Sequence, residues 1–317
     1  MTVSVAEYLG ICTDCATEII PIKIRKDESL GVQFKPELQC PFKNSHCDKA
    51  KRGDKPVCSV RDSVTGVVWI VCEHRLCATS PKHSKLTSHQ KDILQQVAMC
   101  VFDNNINASD IIVKREVSMK VTEASNYKAD YVMWRLNPNL NSLANSDKPI
   151  VLEMQGGGET TNTGALSKHI TAWEENSKID NNMLRTPIQS VGTLETNAWR
   201  RQQEQFLVKG NIAVMTGGRI VFCVGRLLYD YLMLRFINNI PRDLRTTNWS
   251  LSIIAFDEDK EKPVNKDGSI RFSIDPSRVI FTNYNSFVQV LTNQAKPSET
   301  LFTGKYMDFE GNIVDLY

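Results

Sequence analysis

The run Ile150-Val151-Leu152-Glu153-Met154-Gln155 constrains this chain more than any other. It is apolar enough to be a buried strand, yet it carries a carboxylate in its middle. A charge in that setting is costly unless it has a partner. Side chains alternate along a strand, so Glu153 and Gln155 share one face while Leu152 and Met154 enter a core on the other. Upstream, Lys128-Ala129-Asp130-Tyr131-Val132-Met133-Trp134 is a second strand-like run, and a polar, Asn/Ser-rich connection (137–148) joins the two. A hairpin would bring Asp130, expected near the start of its strand, close to Glu153. Two carboxylates and a strand carbonyl at one sheet edge form a hard-oxygen set suited to Mg²⁺. Such a metal can polarise a phosphodiester and activate a water. Spacing alone leaves a second reading open, in which the two acids make only local turn bonds or ion pairs.

The rest of the composition permits this chemistry without demanding it. A chain of 317 residues holds one large domain or two smaller ones. Its 41% hydrophobic and 23% charged residues are those of an ordinary soluble globular protein. A net charge of +2 neither requires nor excludes a polyanionic partner, because a DNA enzyme needs only a local basic cleft. No run suits a membrane helix and no signal-peptide core opens the chain, so a cytoplasmic location without membrane attachment is expected. Nine cysteines in that compartment are thiols or metal ligands rather than disulfides.

Cys40, Cys47, Cys58 and Cys72 fall in a polar, turn-rich segment with little apolar content. A structural metal on four thiolates would supply the stability that such a segment lacks. The spacings are not those of a standard zinc finger. His46, His74 and Cys77 compete as ligands, and buried free cysteines remain the alternative. Cys12 and Cys15 form a lone C-x-x-C, which fits half a metal knuckle, a redox pair or coincidence.

In chain order, a short helix is expected from Val3 to Tyr8, then strand-like segments at 19–24 and 67–71. A polar linker follows at 78–88. A helix capped at Thr87 or Ser88 carries Ile93, Leu94, Val97, Ala98, Val101 and Phe102 at helical spacing and stops at Asn104-Asn105. Residues 110–121 alternate, with Ile111, Val113, Val117, Met119 and Val121 on one face and Lys114, Glu116, Ser118 and Lys120 on the other. After Gly156-Gly157-Gly158, helices are expected at 165–178, at 197–208 with Gly210 as its stop, and at 226–238. A buried strand at 220–224 lies between the last two. Three strands without helical crossovers, then helices and a further strand, predict an α/β (α+β) fold: a mixed sheet flanked by helices.

That order, with Asp130 on the second strand and Glu153-Met154-Gln155 ending the third, resembles the PD-(D/E)XK nuclease core. The segments Cys40-Pro41-Phe42, Lys49-Ala50 with Arg52-Gly53 and Val57-Cys58, and Trp69-Ile70-Val71-Cys72 with Arg75-Leu76 are similar to the tetra-cysteine region of NotI-like type II restriction endonucleases. So are Gly164 with Ser167-Lys168-His169, and Asn197 with Arg200, Arg201 and Gln205, in the same order. The resemblance covers roughly residues 40–225. It implies a homodimeric, Mg²⁺-dependent restriction endonuclease that cuts double-stranded DNA at a GC-rich palindrome, with a cognate DNA methyltransferase in the same host. Residues 1–85 would form the metal-binding region, with iron or zinc on Cys40, Cys47, Cys58 and Cys72. Residues 86–317 would hold the catalytic and DNA-recognition machinery. The catalytic trio carries over to Asp130, Glu153 and Gln155, with the Met154 carbonyl as a further Mg²⁺ ligand. Glu116 is either an additional acidic ligand or an ion-pair partner of Lys114 or Lys120. Gln155 stands where the commoner pattern has Lys, so a positive charge must come from elsewhere, and Lys168 is the candidate. Lys168, His169, Arg200, Arg201, Gln203 and Gln205 are the candidate DNA contacts. A non-catalytic zinc-type DNA-binding protein and a nuclease of the same fold acting on modified or damaged DNA are the competing readings.

Overall fold

A computed structural model describes residues 2–16, 18–21, 39–43, 45–52, 54–77, 85–120, 126–137, 142–143, 148–176, 180–236, 239–292 and 302–316. The strands are β1 (Thr2–Tyr8), β2 (Ile11–Cys12), β3 (Val57–Asp62), β4 (Val68–Ile70), β5 (Ile111–Lys120), β6 (Asn126–Asn137), β7 (Ser142–Leu143), β8 (Ile150–Gln155), β9 (Ile188–Gln189), β10 (Arg219–Gly225), β11 (Leu251–Glu258), β12 (Phe272–Thr282), β13 (Gly304–Met307) and β14 (Ile313–Leu316). The α-helices are α1 (Asp48–Arg52), α2 (Ser88–Val101), α3 (Thr163–Glu175), α4 (Asn182–Arg185), α5 (Glu195–Met215), α6 (Arg226–Phe236) and α7 (Tyr284–Thr292).

The larger sheet runs in the order β12-β11-β10-β8-β6-β5, with β7 beside β6. Strands β5, β6 and β8 form the expected antiparallel meander, β10 and β11 add in parallel, and β12 returns antiparallel. The fold class is therefore mixed α and β, as the element order implied. On β10, Val221 and Cys223 face a core with α2, while Ile220, Phe222 and Val224 face a second core with α5, α6 and α7. A central strand buried on both faces explains its unbroken apolar sequence. Helix α2 starts at a capping box: the Thr87 hydroxyl accepts the Gln90 amide and the Gln90 side chain accepts the Thr87 amide.

The smaller sheet has the order β2-β1-β3-β4, and β9, from the later part of the chain, pairs with β1. Residues 2–8 are thus a strand and not the expected helix. Val3 and Val5 alternate with polar residues, and pairing with β3 buries both, which overrides local helix preference. Of the strand expected at 19–24, residues 19–21 are irregular and 22–24 lie outside the described residues. So do residues 78–84 of the proposed linker. A buried ion pair fastens this sheet to the body. Arg75 Nε donates to Glu7 Oε2 at 2.8 Å, and its guanidinium lies 4.4 Å from the ring centres of both Phe42 and Phe272.

Two local expectations fail for a physical reason. Helix α5 runs through Gly210 to Met215, because this glycine serves close packing: a Cβ there would strike the Tyr284 ring. Along β5, Ile111 and Val113 pack on the α2 side, whereas Val117 and Met119 pack on the α5 side. The faces exchange at Glu116, whose φ of +48° is unusual for a residue with a side chain.

Candidate active site

The ladder between β6 and β8 ends at the pair Tyr131–Leu152. The next residues in that register are Asp130 and Glu153. Between β5 and β6, Glu116 falls between the pairs Arg115–Tyr131 and Val117–Ala129, which sets it opposite Asp130. Three acidic residues thus fall in one row across three adjacent strands, whose backbones run about 5 Å apart. Asp130 lies within β6 rather than at its start. The reason it can replace a ladder pair is direct: Asp130 Oδ2 accepts the Met154 amide at 2.7 Å.

Glu153 is buried, with Oε2 accepting from Lys209 Nζ at 2.6 Å. Its other oxygen, Oε1, is also buried and has no hydrogen-bond partner among the described residues. Lys209 comes from α5, where it occupies the apolar stripe of Phe206, Gly210 and Ala213. Burial first, and then the Asp130 charge, push the Glu153 carboxyl up to about 8, against the pull of Lys209. Burial likewise lifts Asp130 to about 6, although the Met154 amide and Lys209 favour its charged form. Glu116 and Glu73 add to the lift. A site that holds acids above their ordinary range, leaves one carboxylate oxygen without a donor and keeps a lysine at hand is short of positive charge. A divalent cation would correct that, so the donor set fits Mg²⁺.

At the end of β8, Gln155 Nε2 donates to the Gly157 carbonyl at 2.9 Å. The glycines that follow are needed for proximity. A Cβ on Gly157 would meet the Ile70 carbonyl and the Trp69 ring, and the Gly158 amide donates to Ile70 O at 2.9 Å. The end of β8 is thereby held against β4, and a cavity of about 690 Å³ opens between them and the starts of α3 and α5.

All four cysteines proposed as metal ligands line that cavity. Burial raises the Cys40 thiol to about 11 and also raises Cys58 and Cys72, with mutual charge repulsion adding in each case. Thiols that line one cavity and suppress one another's ionisation suit a thiolate metal site, which would relieve both effects. Their sulfurs nonetheless do not converge to ligand spacing. Among the described residues, the donor atoms that gather within 4.8 Å of one another are instead those of Asp48, Glu73 and His74, each within two positions of Cys47 or Cys72. His74 Nε2 lies 2.9 Å from Asp48 Oδ2, and Lys43 also pairs with Asp48. Burial of Asp48 is outweighed by these two partners, which hold its carboxyl down to about 2.

No family model and no curated protein sequence matches this chain.

The other sequence candidates divide. Lys168 is exposed on α3, and the cation beside Glu153 is Lys209, which the sequence reading passed over. His169 Nε2 lies 2.7 Å from the Met183 carbonyl, a contact between α3 and α4. Arg200 is exposed, and Arg201, which lines the cavity, pairs with Glu159 at 3.0 Å. Gln203 and Gln205 are half-buried along α5. Glu116 lies 3.9 Å from Lys128, not beside Lys114 or Lys120. Cys12 and Cys15 lie next to each other. Burial and the Cys15 thiol raise Cys12 to about 12, which leaves it a poor nucleophile. Burial also raises Cys77, away from the four-cysteine cavity. Among the described residues, no helix is long and apolar enough to cross a membrane.

Proposed function

We propose that this chain is a Mg²⁺-dependent endonuclease of the PD-(D/E)XK kind, resembling NotI-like type II restriction enzymes and cutting double-stranded DNA at a palindromic, GC-rich site as a cytoplasmic homodimer. A restriction role makes a cognate DNA methyltransferase its expected companion. The observation that carries this reading is the facing pair Asp130 and Glu153, with an unpartnered buried oxygen on Glu153 and Lys209 at 2.6 Å. A structural acid pair would have its oxygens satisfied, because an unmet buried acceptor is costly.

Asp130 and Glu153 would hold Mg²⁺, with the Met154 carbonyl beside them. The ion, when bound, supplies Lewis-acid polarisation of the phosphodiester and a more acidic water. The chain's own groups do the rest. Lys209 orients the Glu153 carboxylate and places an ammonium where charge develops on the phosphoryl oxygens, so it takes the role of the lysine that Gln155 lacks. Gln155 spends its amide N–H on Gly157 and keeps its carbonyl oxygen to accept a hydrogen bond that would orient the attacking water. Glu116, across from Asp130, holds a second water or counter-charge at the outer end of the row. The four cysteines would hold iron or zinc and brace the loops that read DNA.

Supercoiled DNA incubated with and without Mg²⁺ tests the reading. Discrete fragments that need Mg²⁺ and vanish in Asp130→Ala and Lys209→Met support it. DNA binding without cleavage on methylated and unmethylated substrates alike refutes it and favours a binding module.

A further inference from the structure

Lys209 can serve Glu153 only if α5 is held in register over the sheet. Side-chain ends lie roughly 5–6 Å from a helix axis, so a rotation of about 10° moves one by about 1 Å. A misplacement of that size can cost a catalytic site about 100-fold in rate. The Lys209 ammonium is buried and bonded to Glu153 at 2.6 Å, so the turn from Phe206 to Gly210 that carries it has to be fixed.

It is fixed from two sides. Phe206 stacks on Phe222 with ring centres 3.4 Å apart, and Phe222 is the β10 residue paired with Glu153 in the strand register. Tyr284, at the start of α7, grips the same turn. Its ring lies where a Cβ on Gly210 would strike it, and its hydroxyl donates to the Leu207 carbonyl. These two points bracket Lys209 in the sequence. Tyr284 is itself tied to the sheet. Its amide donates to Ser250 Oγ at 2.9 Å, and the Ser250 carbonyl accepts the Ile220 amide at 3.0 Å, two residues before Phe222 on β10. Sheet, α7 and α5 thus close a ring of contacts that includes Lys209 and Glu153. A phenylalanine would fill the same space, so what the hydroxyl adds is its bond to α5. We propose that Tyr284 is a positioning residue of the candidate active site, which sets Lys209 against Glu153 without touching substrate or metal. The inference rests on the role given to Lys209 in the proposed function.

A double-mutant cycle on single-turnover DNA cleavage tests it. Tyr284→Phe keeps the ring and removes the bond to Leu207. It should lower the cleavage rate at least about tenfold, with DNA affinity unchanged and circular dichroism of the folded chain as in wild type. In a Lys209→Met background the same substitution should change the rate less than about twofold, because no ammonium is left to place. Gly210→Ala, which pushes on the ring from the helix side, should show the same dependence on Lys209. Nitrogen-15 NMR of the lysine ammonium groups reads the position without any cleavage: a signal that Lys209→Met removes should shift or broaden in Tyr284→Phe. Equal rate losses in both backgrounds overturn the proposal. So does a Tyr284→Phe chain with the wild-type rate and the wild-type Lys209 signal. A wild-type chain that cuts no DNA removes the nuclease reading alone; the Lys209 signal then decides, and one left unchanged by Tyr284→Phe overturns the positioning role.

Discussion

Metal affinity at the Asp130–Glu153 site should rise steeply with pH, far above the range in which ordinary carboxylates titrate. Burial and then the Asp130 charge hold Glu153 up to about 8, and burial, with the Glu116 and Glu73 charges, holds Asp130 up to about 6. Both must be ionised to hold a cation, so protons compete with the metal. The sign follows from linkage. Without metal, the folded chain keeps protons that the unfolded chain releases above about 4.5, the ordinary glutamate value. The stability held below that pH is then lost as pH rises through about 8. A bound divalent cation reverses the preference. Treating the two acids as independent sites, the affinity should grow roughly 200-fold between pH 6 and pH 9, about 3 kcal/mol. Two carboxylates at ordinary values would change it by less than about 10% over the same interval. At pH 7 about one proton should leave per metal bound. Mn²⁺ titrations followed by electron paramagnetic resonance, with Mg²⁺ as competitor, give the affinities. Calorimetry in buffers of different ionisation heat counts the protons. An affinity that varies less than about threefold from pH 6 to 9, with no proton release, would show that these acids do not bind the metal together.

Four further outcomes follow from the same geometry. Lys209→Met should lower the cleavage rate at least about 100-fold, the scale of losing one preorganised donor, while DNA binding stays near wild type; gel cleavage and fluorescence anisotropy measure the two. Lys168→Ala should leave cleavage within about threefold, as expected of an exposed position. Arg75→Met leaves Glu7 buried without its cation and should cost about 3–5 kcal/mol, read from urea unfolding at pH 7. Purified protein should carry one iron or zinc per chain by elemental analysis, and Cys58→Ser should lose that metal and unfold at lower temperature.

Much of the site was legible because one physical rule exposed it. Glu153 interrupts an apolar strand, and a buried carboxylate needs a partner, so the sequence pointed to the strand and the residue. The same rule located the meander, since the polar connection at 137–148 leaves two apolar runs to pair. Other features were hidden by tertiary effects. Residues 2–8 became a strand only because β3 and β9, roughly 50 and 180 residues away, supply partners. Gly210 read as a helix stop because glycine's backbone freedom is visible in a sequence and a ring packed against its Cα is not. The exchange of faces at Glu116 breaks a regular alternation that the sequence itself keeps.

The missed lysine bears most on the mechanism, and the signal for it was present. Phe206, Lys209, Gly210 and Ala213 are spaced three, one and three apart, one stripe of a helix. Lys209 is therefore a charge on an apolar helix face, as Glu153 is a charge in an apolar strand. Each alone is a costly burial, and the only inexpensive arrangement is for the two to meet. The pair is not made neutral by meeting. Oε1 of Glu153 stays without a donor, and Asp130 adds a second acid that Lys209 can serve only at a distance. One ammonium against a buried and a half-buried carboxylate leaves a deficit of positive charge at the place where the three-strand row opens. Among the described residues the other buried acid, Glu7, is satisfied by Arg75, Ser59 and the Ile270 amide, and that contrast sets the Asp130–Glu153–Lys209 group apart from a structural ion pair.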